Sequence, residues 1–237
     1  MKTAMTIMLE ASGLKKSFTL HNQNGVVLPV LDSIDLHVSA GEAVVLKGVS
    51  GSGKSTLLRI LYGNYKPAAG SVRLRHDGAM VDIVGARANL VLDIRRRTMS
   101  FVSQFLRVIP RVSALDIVKD PMLARGCDDE EATERARAIL SRLNLSERMW
   151  GLAPATFSGG EQQRVNIARS FVDPTAVLLL DEPTASLDAG NRDIVVDLIK
   201  DSRDKGAAMV GIFHDEDVSE RIATRCVQLS PLKAARS

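Results

Sequence analysis

The chain has little with which to cross-link, stack or span a membrane. Among 237 residues there are only two cysteines, Cys127 and Cys226, far apart and outside any CxxC pair. That excludes a disulfide framework and a cysteine zinc site, predicts a reduced compartment, and leaves both thiols as packing or incidental groups. Aromatic residues make up 4%, and 31 basic residues against 28 acidic ones leave a net charge of only +3. A nucleic-acid binder needs stacking platforms and a strong basic patch, so nucleic acid is not an expected partner. No apolar run approaches the ~20 residues of a membrane helix. The apolar N-terminal stretch is interrupted at Glu10 before any small-residue cleavage pattern. The expectation is a soluble, cytoplasmic chain without a membrane span of its own. Internal repeats and low-complexity linkers are missing too. With 45% hydrophobic residues, the chain has enough material for one domain with a sub-lobe.

What is present alternates between strand and helix signals, which predicts an α/β fold. Ala43–Lys47 reads as a buried strand, followed by a glycine-rich turn and a helical apolar pattern through Leu57, Leu58, Ile60 and Leu61. Residues 71–103 mix β-prone pieces (Val72, Leu74, Val81, Ile83, Val84) with Gly78 and Gly85, which predicts an edge β region. The run Arg95, Arg96, Arg97 there reads as a solvated face. Asp128, Asp129, Glu130 and Glu131 open an amphipathic helix through Ala132, Ala136, Ile139, Leu140 and Leu143, with negative charge at its positive end. That helix is assigned to the sub-lobe. Residues 175–180 and 207–213 are the continuous apolar runs that buried parallel strands require, and both run into charged residues.

Chemistry enters at Gly48-Val-Ser-Gly-Ser-Gly-Lys-Ser-Thr56, the phosphate-loop pattern in its strand-to-helix setting. Gly48, Gly51 and Gly53, with Ser50 and Ser52 between them, let the backbone curl so that its N–H groups face phosphate oxygens. Lys54 adds a positive charge, Ser55 offers a hydroxyl to Mg²⁺, and Thr56 continues the helix entry. A second site is Asp181-Glu182, two carboxylates at the end of an apolar strand. Successive strand residues point to opposite faces, so the two acids take separate tasks: Asp181 as the Mg²⁺ partner, Glu182 as general base toward an attacking water. A third is Phe157-Ser-Gly-Gly-Glu-Gln-Gln163, which opens a helix through Val165, Ile167, Ala168 and Phe171. A serine and two glycines at a helix start make either a second anion-binding end or an ordinary N-cap.

Ser158-Gly159-Gly160-Glu161-Gln162, taken with the phosphate loop, resembles the signature of ABC-family ATPases along essentially the whole chain. The resemblance implies a P-loop NTPase of the ABC nucleotide-binding-domain type, with an edge antiparallel β region and a helical sub-lobe. It places a RecA-like core at about 1–104 and 164–237 and the lobe at about 105–163. It implies ATP and Mg²⁺ as ligands, hydrolysis of ATP, and a dimer in which Ser158, Gly159, Gly160 and Gln162 of one subunit complete the site of the other. Phe18 matches the aromatic that stacks on adenine. Gln104 matches the Q-loop glutamine that reaches Mg²⁺ and water, Ser186-Leu187-Asp188 the D-loop at the dimer interface, and His214 the switch histidine near the γ-phosphate. His21, His37 and His76 match nothing and read as surface or packing residues.

What the engine drives is carried by the stretch after Gln104. Residues 104–118 place Arg107 and Arg111 on the expected docking surface and have Leu115-Asp116 where transporters favour Glu-Asn. With residues 20–30, this stretch resembles the L subunits of the phosphonate carbon-phosphorus lyase system. That resemblance implies a homodimer or a heterodimer with another ABC subunit such as the K component, in an assembly or remodelling role. Two alternatives stand beside it: the ATPase of a lipoprotein-release or macrolide-type membrane exporter, and an ATP-gated assembly module with little turnover. The basic tail from Pro231 is expected to fray.

Overall fold

The computed structural model describes residues 6–20, 25–103 and 110–232; Gln104, Arg107 and His21 lie outside them. In chain order the elements are β1 (Ile7–Leu20), β2 (Val26–Ser39), β3 (Ala43–Lys47), α1 (Lys54–Leu61), β4 (Ala69–His76), β5 (Ala79–Asp82), α2 (Ala88–Arg97) and β6 (Met99–Val102). There follow α3 (Ala114–Leu123), α4 (Asp129–Arg142), α5 (Glu147–Trp150), a 3₁₀ turn at Pro154–Thr156 and α6 (Gly159–Phe171). The chain closes with β7 (Val177–Asp181), α7 (Ala189–Asp204), β8 (Ala208–Ile212), α8 (Glu216–Ile222) and β9 (Arg225–Gln228).

Two sheets result. An antiparallel one runs β2-β1-β4-β5, and a parallel one runs β6-β7-β8-β3-β9. All five residues of β7 and all five of β8 are buried. Two separate cores explain why those strands are apolar throughout rather than alternating. Leu178 and Leu180 pack into a core shared with α3, α4, α6 and α7, whereas Val177 and Leu179 pack into one shared with α1 and the antiparallel sheet. Period-two geometry thus sends successive residues into different cores, and both faces need apolar side chains.

The helices α3, α4 and α6 pack on one another. Asp128 caps α4 by accepting from Glu130 N at 2.9 Å, and the acidic first turn lies at the positive helix end, as its sequence predicts. Lys119 of α3 reaches that turn, 2.6 Å from Asp129. Ser113 caps α3 in the same way, accepting from Asp116 N.

The region 71–103 differs from its sequence reading. β4 and β5 form the expected antiparallel edge, but residues 88–97 are a helix, and β6 joins the parallel sheet, with Met99 opposite Val177. The arginine run is a solvated face, with Arg96 and Arg97 exposed, that also acts as a clasp through Arg95 and Arg97. Arg95 donates to Tyr62 O (3.0 Å) and Asn64 Oδ1 (2.9 Å) and lies 4.4 Å from the Tyr62 ring centre. Arg97 pairs with Asp93, one helical turn back, and with Asp77, and holds both carboxyls below their usual range. Buried His76 sits between Thr98 Oγ1 (2.7 Å) and Asp93 Oδ2 (3.0 Å), a packing residue as expected. Arg96 is exposed, as a solvated face requires. β-branched residues next to Gly85 hid α2, whose one buried residue is Ile94 and whose exposed residues include Leu92 as well as Arg96 and Arg97.

Candidate nucleotide site

The cradle is built where β3 turns into α1. Gly48 has φ 146°, and a Cβ there would fall 2.3 Å from Leu229 O and 2.7 Å from Ser52 Oγ. Gly53 has φ 93°, and its Cβ would collide with Leu31 Cδ2 at 2.7 Å and Val30 O at 3.0 Å. Only glycine lets the loop pass so close to β2 and to Leu229 just past β9. Gly53 is also the N-cap of α1 and offers no side-chain cap, so first-turn N–H donors of this helix stay open to an outside anion. Lys54 arches back over the loop, donating to Gly48 O at 2.7 Å and Val49 O at 3.0 Å. Gly51 turns the exposed tip beside Ser50, and Thr56 is half-buried in the first turn. Ser52 is buried, and its hydroxyl finds no hydrogen-bond partner among the described residues.

Ser55 Oγ donates to Asp181 Oδ1 at 3.2 Å, joining the loop to the end of β7. Burial pushes the Asp181 carboxyl up, the Ser55 hydrogen bond opposes this, and the neighbouring Glu182 charge adds to it. A hydroxyl and a buried carboxylate brought together are hard oxygen donors, and a cation there would relieve the cost of ionising Asp181. The residues present therefore fit Mg²⁺.

Glu182 separates itself from Asp181 by its backbone. It adopts φ 53°, a left-handed conformation that costs a non-glycine residue about 1–3 kcal/mol. Its N–H donates to Ile212 O at 3.0 Å. The Glu182 carboxylate meets His214 Nε2 at 2.7 Å, just past the end of β8. The two adjacent acids thus have different partners, as expected, but a left-handed turn just past β7 separates them rather than strand alternation.

The signature segment is assembled differently. Ser158 caps α6 in a reciprocal box: its N–H and its hydroxyl both donate to Glu161 Oε2 at 2.8 Å, and Glu161 N points back at Ser158 Oγ, 3.4 Å away. Those bonds hold the Glu161 carboxyl below its usual range. Gly160 lies against the loop after β7, since a Cβ there would stand 3.0 Å from Ser186 O. Gly159 has open space beside it, and Gln162 Nε2 donates to Phe157 O at 3.0 Å, steadying the chain before the helix. Asp188 caps α7, accepting from Asn191 N at 2.9 Å.

Phe18 is half-buried on β1, edge-on to Tyr65 with ring centres 5.6 Å apart and Lys16 Nζ 5.0 Å from its centre. Sequence reasoning missed Gln163 and Asn166. Asn166 Nδ2 donates to Ser103 O at 2.7 Å and Gln163 Nε2 to Pro183 O at 3.1 Å, so α6 grips both the chain before Gln104 and the turn after Glu182. Two amides on the buried face of a helix were the available signal, because buried polar groups require partners.

Similarity to known proteins agrees with this geometry. A family model described as ABC transporter matches residues 31–185. The lipoprotein-releasing system ATP-binding protein LolD of Shewanella sp. (strain MR-4) is 36% identical over 217 residues, covering 91% of this chain and 90% of that protein. The macrolide export ATP-binding/permease protein MacB 1/2 of Paracoccus denitrificans (strain Pd 1222) is 40% identical over 204 residues, 86% of this chain but only 30% of the relative. Among solved structures, the dimeric ABC transporter cassette MJ0796 superposes with TM-score 0.85 at 29% identity, covering 97% of each chain. The same cassette is known as a post-hydrolysis dimer bound to ADP and Pi, with TM-score 0.84. A phosphate cradle, a strand ending in Asp-Glu and a capped signature helix, on this fold and at these identities, leave one conclusion: the chain belongs to the ABC transporter family, as an ATP-binding cassette that hydrolyses ATP with Mg²⁺.

Proposed function

We propose that two cassettes, this chain with itself or with a companion ABC subunit, close on two ATP molecules and that hydrolysis reopens them. The observation that carries the reading is the pair of contacts beside β7, Ser55 to Asp181 and Glu182 to His214. In phosphoryl transfer the protein mainly positions groups and stabilises spreading negative charge. Lys54, the amides of residues 48–53 and the open end of α1 supply that stabilisation. Ser55, Asp181 and Gln104 would hold Mg²⁺, which would supply charge neutralisation for the phosphates. Glu182 takes the proton of the attacking water, and His214 orients Glu182 and reaches the γ-phosphate. Phe18 stacks on adenine. Ser158, Gly159, Gly160 and Gln162 of the partner close the site, with Asp188 at the seam. Glu182→Gln with Mg-ATP is expected to run as a dimer in light scattering; a chain that stays monomeric with either ABC partner sinks the proposal.

For the driven process, the named relatives favour an exporter: LolD and MacB carry lipoprotein-release and macrolide-export names. None of the described helices is long and apolar enough to cross a membrane. A permease would supply the path, and this cassette would work at its cytoplasmic face. A groove of about 480 Å³ lies between α2 and β6 on one side and α3 and α6 on the other, lined by Tyr62, Phe101, Pro121 and Arg169 among others. The second reading, an accessory ATPase of the carbon-phosphorus lyase system, is favoured by residues 20–30 and 104–118. Glu182→Gln cassettes recovered with Mg-ATP separate the two: a co-purifying permease supports the exporter, soluble phosphonate enzymes the lyase. Absent phosphate release by the wild-type chain would leave an ATP-gated assembly module.

A further inference from the structure

The C-terminal end of α4 closes on an asparagine rather than the commoner glycine. Leu145 N donates to Leu140 O and Asn144 N to Ser141 O, the double bond pattern that closes a helix around one left-handed residue. That residue is Asn144, with φ 54°. Glycine suits this position better on backbone grounds, so an asparagine here calls for a use of its side chain.

The side chain reaches out of its own lobe. Asn144 Nδ2 donates to Asn191 Oδ1 at 3.1 Å, and buried Asn191 passes the chain on, its Nδ2 donating to Asp188 Oδ2 at 2.6 Å. A carboxylate can only accept, which fixes the direction of both amides. Asn191 also donates its backbone N–H to Asp188 Oδ1 at 2.9 Å, and together these bonds hold the Asp188 carboxyl below its usual range. The segment leading to Asp188 is braced on its other side as well, because Ser186 O lies against Gly160 at the tip of α6.

We infer that Asn144 is a positioning residue for ATP turnover: through Asn191 it ties the end of α4 to Asp188, so the helical lobe and the segment at the dimer seam move as one piece. The inference rests on the proposed place of Asp188 at that seam. Asn144 touches neither nucleotide nor metal and acts only through Asn191. Opposed to it stands a purely structural role, in which the amide stabilises the fold without influencing turnover.

The test is the steady-state ATPase of the full chain, alongside equilibrium binding of a fluorescent ATP analogue and thermal melting. Asn144→Gly keeps the left-handed turn and removes only the amide. It is expected to lower kcat roughly three- to tenfold, the usual reach of a coupling residue, with nucleotide affinity within about twofold of wild type and an unchanged or higher melting temperature. In an Asn191→Ala background the same substitution is expected to cost nothing more, because the link is already cut. An unchanged kcat, a lower melting temperature that accounts for the loss, or an effect that adds to Asn191→Ala would each overturn the inference. Wild-type turnover is the control: its absence would strike the proposed function instead.

Discussion

The two helix ends that frame the proposed site, at α1 and at α6, are assembled from similar residues and left in opposite states. Both begin at glycine and serine beside a strand or turn. At α1 the N-cap is Gly53 without a side-chain cap, and Lys54 folds over the loop. At α6 the Ser158 hydroxyl is taken by Glu161 of its own helix, in a reciprocal cap. The first end has no side-chain cap, whereas at the second a carboxylate of the same helix already takes the Ser158 N–H and hydroxyl. Under the proposed function, the α1 end would hold phosphate within one chain, and the α6 end would meet nucleotide only across the seam, with the Ser158 hydroxyl already engaged by Glu161.

The largest way to sharpen that contrast is at the chemistry itself. Glu182→Gln is expected to retain ATP binding and lose about 10²–10⁴-fold in kcat, the usual worth of a general base; single-turnover phosphate release checks it, and near-normal turnover contradicts the assignment. Next, Lys54→Ala removes the cation beside the open end of α1. Single-chain ATP affinity should fall about 10- to 100-fold, as for loss of a charge-assisted hydrogen bond, and calorimetry showing undiminished affinity would remove α1 from the site. Ser158→Ala acts on the other end. It should leave single-chain affinity unchanged while costing about 1 kcal/mol of cap stability, or roughly 2–4 °C in melting temperature. An equal loss of single-chain affinity would show that the two ends are not in opposite states.

The smallest effect concerns Asp181. Burial raises its carboxyl above the unfolded value, so the ionised side chain disfavours folding at neutral pH and that penalty disappears as pH falls below the unfolded value of about 3.9. Without Mg²⁺, Asp181→Asn should therefore melt higher than wild type at pH 7, with the gap closing toward pH 4. A mutant that melts lower at pH 7 would mean that the Ser55 bond outweighs burial.

Much of this was legible in the sequence because it rests on local rules. The run from Gly48 to Thr56 declares its turn and helix without tertiary help, and the apolar strand before Asp181 declares burial on two faces. Asp128 and the acids after it mark a helix start by charge alone. Long-range pairing was not legible: the β1–β2 hairpin depends on partners such as Phe18 opposite Leu28, and α2 looked like strand because only one of its residues, Ile94, is fully buried. The role of Arg97 was hidden for the same reason, since Asp77 approaches it only after β4 and α2 are folded. At the site, the residue types were readable, but the left-handed turn at Glu182 and the self-capping of Ser158 were not. Each depends on a backbone angle or a neighbour that spacing does not encode.

The double allegiance of β7 has a mechanical meaning. Its odd-numbered leucine and valine lean on one hydrophobic mass, its even-numbered leucines on another, and Asp181 with Glu182 projects from the end they share. The strand is a lever clamped in two vices. Under the proposed function, a partner pressing on the helices or a nucleotide pressing on the loop would each be felt at the same pair of carboxylates.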